Sequence, residues 1–162
     1  MNMYRGRLMK ELQDEDYRYA YDEEFANSRM ATQIKVIREQ RNGMTQAQLA
    51  GKADMRQSRI SALENVDYSA WSISTLRRLA QALGVRLTFK FESWGDLLSE
   101  VESFNREALQ VPDFENDPAF NEAEVAIAAF PELGAFKEHK SARDFVQVMA
   151  KLEEREHGLA SS

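Results

Sequence analysis

Cysteine is absent from this chain of 162 residues, and histidine occurs only twice. Without cysteine there can be no disulfide and no thiolate metal site. The sequence also lacks any run of about 18 apolar residues, the length that a membrane-spanning helix requires. Its first residues, MNMYRGRLMK, contain no apolar stretch of the kind found in signal peptides. We therefore expect a cytoplasmic protein with no membrane partner.

Residues that commonly carry catalysis are scarce. His139 and His157 both lie in a segment rich in carboxylates, and no glycine-rich phosphate-binding loop is present. A metal site that combined His139 with Glu132 and Glu138 would need three or four convergent ligands, so a solvated acidic surface is the preferred interpretation. The sequence therefore predicts no enzymatic activity, no metal and no cofactor.

Charge is distributed unevenly along the chain, although the net charge of the whole is −6. Residues 29–90 contain 11 Lys and Arg against 4 Asp and Glu, which gives this segment a net charge of +7. Residues 1–28 carry a net charge of −3, and residues 91–162 carry −10. A basic module between acidic flanks indicates that a polyanion such as nucleic acid binds the central residues.

Hydrophobic periodicity divides the chain into four regions. Residues 1–28 are predicted to form a helical extension, in which Tyr17, Tyr21 and Phe25 make one aromatic stripe that packs against the next region. Residues 29–84 are predicted to form four short helices, because apolar residues recur there at helical spacing between turn signals. This second region is the predicted DNA-binding domain.

The turn signals of residues 29–84 separate the predicted helices. Asn42 and Gly43 tolerate a positive φ angle and end the first of them. Thr45 is a suitable N-cap for the second, Asp54 ends that helix, and Gly84 ends the fourth. The resulting arrangement places two short helices on either side of a tight turn, roughly between residues 45 and 64.

The third region, residues 85–110, changes its period. Apolar and polar residues alternate from 85 to 92, which predicts a strand with one apolar face, and a helix is predicted from about 95 to 109. No second strand is evident in the chain, and a lone strand leaves its backbone N–H and C=O groups unpaired. We therefore expect this strand to pair with its copy in a second subunit. The dimerising face consists of Val85, Leu87, Phe89 and Phe91.

The fourth region, residues 111–162, is acidic and predicted to be helical. Asp117 and Pro118 form a good helix start for residues 119–130, and Ser141 caps a final helix that extends to about His157. The expected fold class is therefore mainly α, with a helical bundle, one dimerising β-strand and C-terminal helices.

Several short motifs of the central region resemble the lambda-repressor-like, Cro-type (XRE) family of helix-turn-helix regulators. The motifs are Thr45-Gln46-Ala47-Gln48-Leu49-Ala50, Arg56-Gln57-Ser58-Arg59-Ile60-Ser61-Ala62-Leu63-Glu64, Ser74-Thr75-Leu76 and Leu79-Ala80-Gln81-Ala82-Leu83-Gly84-Val85. The resemblance covers about residues 29–85 and implies a bundle of about five helices that inserts its third helix into the major groove of DNA. The chain departs from the family at the turn, where Asp54 replaces the usual glycine, and in an extra residue at Asn42.

The chemistry of the third predicted helix agrees with base recognition. Ile60 and Leu63 would face the core, whereas the polar residues of the helix would face outward. Arginine can bind O6 and N7 of guanine together, and glutamine can bind N6 and N7 of adenine. The candidate base-reading residues are Arg56, Gln57, Ser58, Arg59 and Ser61.

Phosphate contacts are expected around this helix, since free N–H groups at helix N-termini favour anions. The candidate phosphate-binding residues are Arg41, Asn42, Thr45, Gln46, Ser74 and Thr75. Trp71 either lies beside the DNA backbone or closes the core. The family resemblance further implies an ion pair between Arg38 and Glu64 with a structural role.

These observations predict a sequence-specific DNA-binding regulator, a repressor that binds a palindromic operator on double-stranded DNA as a homodimer. The alternative resembles a HigA-type antitoxin, in which the same module carries an acidic arm that neutralises a basic protein toxin. The apolar run at residues 125–130 within the acidic region permits either function.

Overall fold

The computed structural model describes residues 3–121, and these contain seven α-helices and one 3₁₀ turn. The helices are α1 (Met3–Glu11), α2 (Glu15–Gln40), α3 (Gln46–Lys52), α4 (Gln57–Leu63), α5 (Ile73–Leu83), α6 (Trp94–Glu102) and α7 (Pro118–Asn121), and the 3₁₀ turn spans Phe114–Asn116. The described residues up to 117 form one compact unit, and α7 belongs to another. None of the described helices is long and apolar enough to span a membrane.

Helix α2 joins the predicted N-terminal extension and the first predicted helix of the DNA-binding domain into one element of 26 residues. The side chain of Asp14 caps it by accepting a hydrogen bond of 2.8 Å from the backbone N–H of Tyr17. Asn42 and Gly43 follow its C-terminus with φ angles of 53° and 68°, as predicted. At 1.5 Å per residue the helix is about 39 Å long, and it therefore contributes to two separate hydrophobic cores.

The first core is that of the helix-turn-helix module. It combines the C-terminal half of α2 with α3, α4 and α5, and Leu49, Ile60 and Leu63 are completely buried within it. Apolar residues at helical spacing on α3, α4 and α5 pack against one another and against α2, so none of these three short helices needs to be stable alone. This core holds α3 and α4 in a fixed relation.

The second core lies between α1, the N-terminal half of α2, and α6. Leu8, Leu12, Leu97 and Leu98 are buried there, and Tyr21 and Phe25 pack against them. Ring centroids of Tyr17 and Tyr21 lie 6.0 Å apart, and those of Tyr21 and Phe25 lie 6.3 Å apart. The predicted aromatic stripe therefore exists, and its residues Tyr21 and Phe25 pack against the second core, which α1 and α6 share.

The predicted strand at residues 85–92 is absent from the part of the chain that the structure describes. Residues 86–92 make no backbone hydrogen bond to any described residue. Val85 and Leu87 pack against the first core, whereas Phe89 is 57% exposed and Phe91 is fully exposed. The four residues of the predicted dimerising face thus divide between the first core and the surface, and the strand prediction is wrong for the chain taken alone.

The helix predicted at residues 95–109 is shorter than expected. Helix α6 ends at Glu102, and the hydroxyl of Ser103 donates to the backbone carbonyls of Ser99 and Glu100 at 2.9 and 3.2 Å. Asn105 then accepts a hydrogen bond of 2.9 Å from the backbone N–H of Ala108. Such short polar side chains compete with the helical backbone for hydrogen bonds and end helices.

Residues 106–114 form a strap that runs back along the helix-turn-helix module. Leu109 is buried, and Val111 packs against the first core. The backbone N–H of Val111 donates to Oε1 of Gln40 at 3.1 Å, and that of Phe114 donates to the carbonyl of Gly84 at 3.1 Å. The strap therefore belongs to the same unit as the helix-turn-helix module.

Only the first residues of the predicted C-terminal helices are described. Helix α7 begins at Pro118 as predicted. The rest of the helix predicted at 119–130, the helix predicted at 141–157, the apolar run at 125–130, and the alternative metal site at His139 lie outside the described residues.

Candidate nucleic-acid interface

The turn between α3 and α4 depends on Asp54, which adopts a φ angle of 50°. Aspartate occupies this left-handed conformation at lower cost than most residues, so it can replace glycine here. Arg78 of α5 supports the turn: its Nε and Nη2 atoms donate to the carbonyl of Ala53 at 3.1 and 2.8 Å, and Nη2 also donates to the carbonyl of Asp54. The turn is thereby tied to a third helix.

Helix α3 begins with a complete capping box. Oγ1 of Thr45 accepts a hydrogen bond of 3.2 Å from the backbone N–H of Gln48, and Oε1 of Gln48 accepts one of 2.8 Å from the backbone N–H of Thr45. This reciprocal pair satisfies two backbone donors at the helix start. It also fixes Gln46 as the first residue of α3.

All five candidate base-reading residues lie on the solvent-exposed side of the second helix of the pair. Ile60 and Leu63 of α4 are completely buried, and the opposite face is polar. The guanidinium of Arg59 lies 5.1 Å from the ring centroid of Tyr68. The exposed residues are Arg56 at the N-cap and Gln57, Ser58, Arg59 and Ser61 within the helix.

A chain of side-chain hydrogen bonds connects this face to the interior. Nε2 of Gln57 donates to Oε1 of Gln46 at 2.8 Å, and Nε2 of Gln46 donates to Oε2 of Glu64 at 2.9 Å. The two glutamines are the first residues of α4 and α3, so their side chains meet where the two helix starts converge. The sequence shows no short-range signal for these bonds, since Gln46 and Glu64 are 18 positions apart.

The chain ends in an ion pair of low exposure. Nε and Nη2 of Arg38 donate to Oε1 and Oε2 of Glu64 at 2.5 and 2.9 Å, and the side chains are 10% and 3% exposed. The hydrogen bond to Glu64 raises the pKa of Arg38 above its ordinary value, against the effect of burial. Nη1 of Arg38 also donates to the carbonyl of Met44 at 2.5 Å. The ion pair implied by the family resemblance is therefore present.

The candidate phosphate-binding residues occupy different environments. Asn42 and Ser74 are exposed, and Thr75 is partly buried at the start of α5, where its Oγ1 accepts a hydrogen bond of 2.8 Å from Oγ of Ser72. Thr45 and Gln46 flank the start of α3, beside the base-reading face. These five residues remain candidates.

Arg41 makes hydrogen bonds within the fold that the sequence did not predict. Its side chain is 11% exposed, its Nε donates to the carbonyl of Leu83 at 3.0 Å, and its Nη2 donates to the carbonyl of Val111 at 3.0 Å. Asp113 lies 3.4 Å from Nε. The guanidinium therefore holds the strap against α5, and a phosphate contact of Arg41 stays a prediction.

Trp71 closes the core, the second of its two predicted roles. It packs against the first core, and its Nε1 donates to Oδ1 of Asn27 on α2 at 2.9 Å. Its ring meets that of Tyr68 edge-on, with centroids 4.7 Å apart. These contacts hold the loop between α4 and α5 against the long helix.

Comparison with known proteins supports the helix-turn-helix assignment. Residues 34–90 match the family described as helix-turn-helix. A protein of Mycobacterium tuberculosis (strain ATCC 25618 / H37Rv), named "Putative antitoxin HigA2", is 39% identical over 72 residues, which cover 43% of this chain and 71% of that protein. No solved structure matches the chain.

Proposed function

This chain belongs to the XRE-type family of helix-turn-helix DNA-binding regulators, and from that membership we propose that it represses transcription by binding a palindromic operator as a homodimer. Its role would be in binding rather than in catalysis, at operators in the cytoplasm. The observation that carries the proposal is the polar, exposed side of α4, whose opposite side is buried in the core of a basic module.

The exposed side of α4 has the donors and acceptors that base recognition requires. Arg56 and Gln57 stand at the N-terminal end of the helix, where a docked recognition helix meets base edges. Arg56 would pair with guanine, and Gln57 would pair with adenine. Ser58, Arg59 and Ser61 extend the same surface. Specificity would therefore come mainly from the first turn of α4.

Phosphate contacts would position this helix without reading sequence. Gln46 and Thr45 lie beside α4, and Asn42 lies in the preceding loop. Ser74 and Thr75 at the start of α5 would add a second group of contacts. The net charge of +7 on residues 29–90 supplies the long-range attraction to the duplex.

The homodimer would form through residues 85–91. Backbone groups of residues 86–92 have no backbone partner among the described residues, and Phe89 and Phe91 expose apolar surface beside them. Antiparallel pairing with the same segment of a second copy would satisfy those groups and cover both rings. Two recognition helices would then be available to a palindromic site.

Selection of binding sites from a random DNA pool tests the proposed function. The wild-type chain should enrich a palindromic motif, and the Gln57→Ala chain should lose preference at one base pair of each half-site. Gln81→Ala, which removes an exposed glutamine on α5, is the matched control and should enrich the wild-type motif. If no motif is enriched by the wild-type chain, or if Gln57→Ala leaves the motif unchanged, the proposal is wrong.

A second candidate function is that of an antitoxin that also represses its own operon. The similarity to a protein named as an antitoxin favours it. The partner would be a basic protein toxin, and residues 111–162 would supply an acidic arm to neutralise it, although most of these residues lie outside the described part of the chain. Purification of the tagged chain from its native host tests this function. A small basic protein encoded beside it should copurify, and a copurified complex that leaves that protein's toxicity unchanged would contradict it.

A further inference from the structure

We propose that Glu64 is a positioning residue for DNA reading: it sets the direction of the hydrogen-bond chain that orients the amide of Gln57. This inference rests on the proposed function, because it assigns the orientation of a base-reading side chain. The family resemblance implied only a structural ion pair at Glu64. The geometry points further, because the same carboxylate contacts Gln46 as well as Arg38.

The direction of the chain begins with the carboxylate. An ionised carboxylate accepts hydrogen bonds and cannot donate them, so the side-chain group of Gln46 that faces Glu64 must be the NH₂. The two groups are 2.9 Å apart, and the side chain of Glu64 is 3% exposed. Water therefore has little access to replace Gln46 at this carboxylate.

The orientation of Gln46 in turn determines that of Gln57. With its NH₂ turned towards Glu64, Gln46 presents Oε1 to Gln57, and an amide oxygen accepts hydrogen bonds only. Gln57 must then direct its own NH₂ to Gln46, where the distance is 2.8 Å. One acceptor in the interior thus determines the orientation of two successive amides.

At the protein surface, Gln57 is therefore left with one acceptor and one donor in known positions. Its Oε1 and its second N–H remain free, which is the combination that binds N6 and N7 of adenine together. An amide turned the other way would direct its oxygen to Gln46 instead. Glu64 therefore favours one pattern of base recognition although it has no contact with DNA itself.

Arg38 keeps this carboxylate in place by two hydrogen bonds. A glutamine at position 64 would use its only oxygen for Arg38, so its NH₂ would face Gln46. The amide of Gln46 would then have to rotate so that its oxygen faced position 64, and the amide of Gln57 would have to rotate in response. Glu64→Gln leaves the size of the side chain almost unchanged, yet we expect it to reverse the donor-to-acceptor direction of the hydrogen-bond chain.

The test measures the DNA affinity of the full chain as wild type and as Glu64→Gln. Each protein is given two DNAs: the operator that the wild type selects, and the same operator with one base changed at the position that Gln57 reads. Preference between the two DNAs should fall by roughly tenfold, within the range for one bidentate contact. Glu64→Gln in the Gln57→Ala background should cause no further loss of preference. A uniform loss of affinity, with preference unchanged, would overturn the inference.

Two further variants keep the test decisive if Glu64→Gln does not fold, and they separate loss of the hydrogen-bond chain from an unrelated loss of a carboxylate. Gln46→Leu breaks the chain but leaves the ion pair between Arg38 and Glu64, so it should reproduce the loss of preference even if Glu64→Gln does not fold. Asp113→Asn removes the carboxylate beside Arg41, 3.4 Å from its Nε, and has no link to the chain, so preference should be unchanged. A loss of preference in this control that matched Glu64→Gln would overturn the inference.

The side-chain amide signals of Gln57 in the free protein provide a test without DNA. These signals, assigned by their absence in Gln57→Ala, should move in the NMR spectrum of Glu64→Gln and stay in place in Asp113→Asn. If the wild type selects no DNA motif, the proposed function fails, and the amide signals still decide whether Glu64 orients Gln57. Signals that do not move in a folded Glu64→Gln chain would contradict the inference.

Discussion

Arg38 and Glu64 face each other as a bidentate pair, with Nε of Arg38 2.5 Å from Oε1 of Glu64 and Nη2 2.9 Å from Oε2. The pair joins α2 to the end of α4 across 26 positions of sequence. Both side chains are almost excluded from solvent. The stability of the module therefore depends on both partners being present.

Replacing Arg38 by methionine should destabilise the protein by about 3–5 kcal/mol, because a buried carboxylate would lose its compensating charge. Urea unfolding measures the change in the free energy of unfolding. The control is Arg7→Met, which removes the exposed pair between Arg7 and Glu11 at 2.8 Å. That change should lower the free energy of unfolding far less, since exposed ion pairs contribute little. An equal decrease in the free energy of unfolding in the two variants would show that burial does not determine the contribution of the ion pair.

Gly84→Ala should lower the melting temperature. Gly84 has a φ angle of 70°, and a Cβ atom there would lie 3.1 Å from Cβ of Asp113 in the strap. The left-handed conformation alone costs roughly 1–2 kcal/mol for an ordinary residue. Gly51→Ala is the matched control, because Gly51 lies within α3 and a Cβ there meets nothing within 4 Å. That substitution should raise stability by about 0.5–1 kcal/mol. Thermal melts that shift in the same direction would contradict this account.

Specific DNA binding should weaken steeply as salt rises, although the whole chain is acidic. Each phosphate neutralised contributes a slope of about −0.9 to the logarithm of the binding constant against the logarithm of salt concentration. Removal of residues 118–162, which hold 8 Asp and Glu against 5 Lys and Arg, should leave this slope unchanged. The cut follows residue 117, because Val111 and Asp113 contact the DNA-binding module. A salt-independent affinity would contradict a phosphate-facing basic surface.

Phe89→Asp should shift the chain from dimer to monomer and reduce operator affinity, because it would place a charge in the proposed seam. Sedimentation at micromolar concentration measures the oligomeric state. Val66→Asp alters another exposed apolar residue, at 46% exposure in the loop after α4, and should leave the dimer intact. A monomeric wild type, or a Phe89→Asp chain that remains dimeric, would show that residues 85–91 do not form the interface.

Local features of the helix-turn-helix could be predicted because they depend on neighbouring residues. Asn42, Gly43, Asp54 and Gly84 all have positive φ angles, which follow from the small or short polar side chains at those positions. The periodicity of α4 likewise predicted which residues of that helix are buried and which are exposed. These properties need no knowledge of the rest of the chain.

The predictions of a strand at residues 85–92 and of a helix at residues 95–109 were less accurate, because both depend on more than the spacing of apolar residues within the segment. Alternation at residues 85–92 describes a face, but a strand exists only where a second segment supplies hydrogen-bond partners. At the end of α6, the side chain of Ser103 bonds back to the helix although apolar residues at helical spacing continue beyond it. Periodicity contains no information on either event.

By itself, the sequence determined the three short helices of the DNA-binding module, the turn at Asp54 and the polar side of α4, because backbone preference and amphipathic spacing act over a few residues. Only the tertiary structure decided the partners of the long polar side chains. Arg41 turned to Val111, 70 positions away, and Gln46 turned to Glu64. A flexible side chain bonds to whichever buried acceptor the packed helices bring within about 3 Å, and that position is set by the whole core.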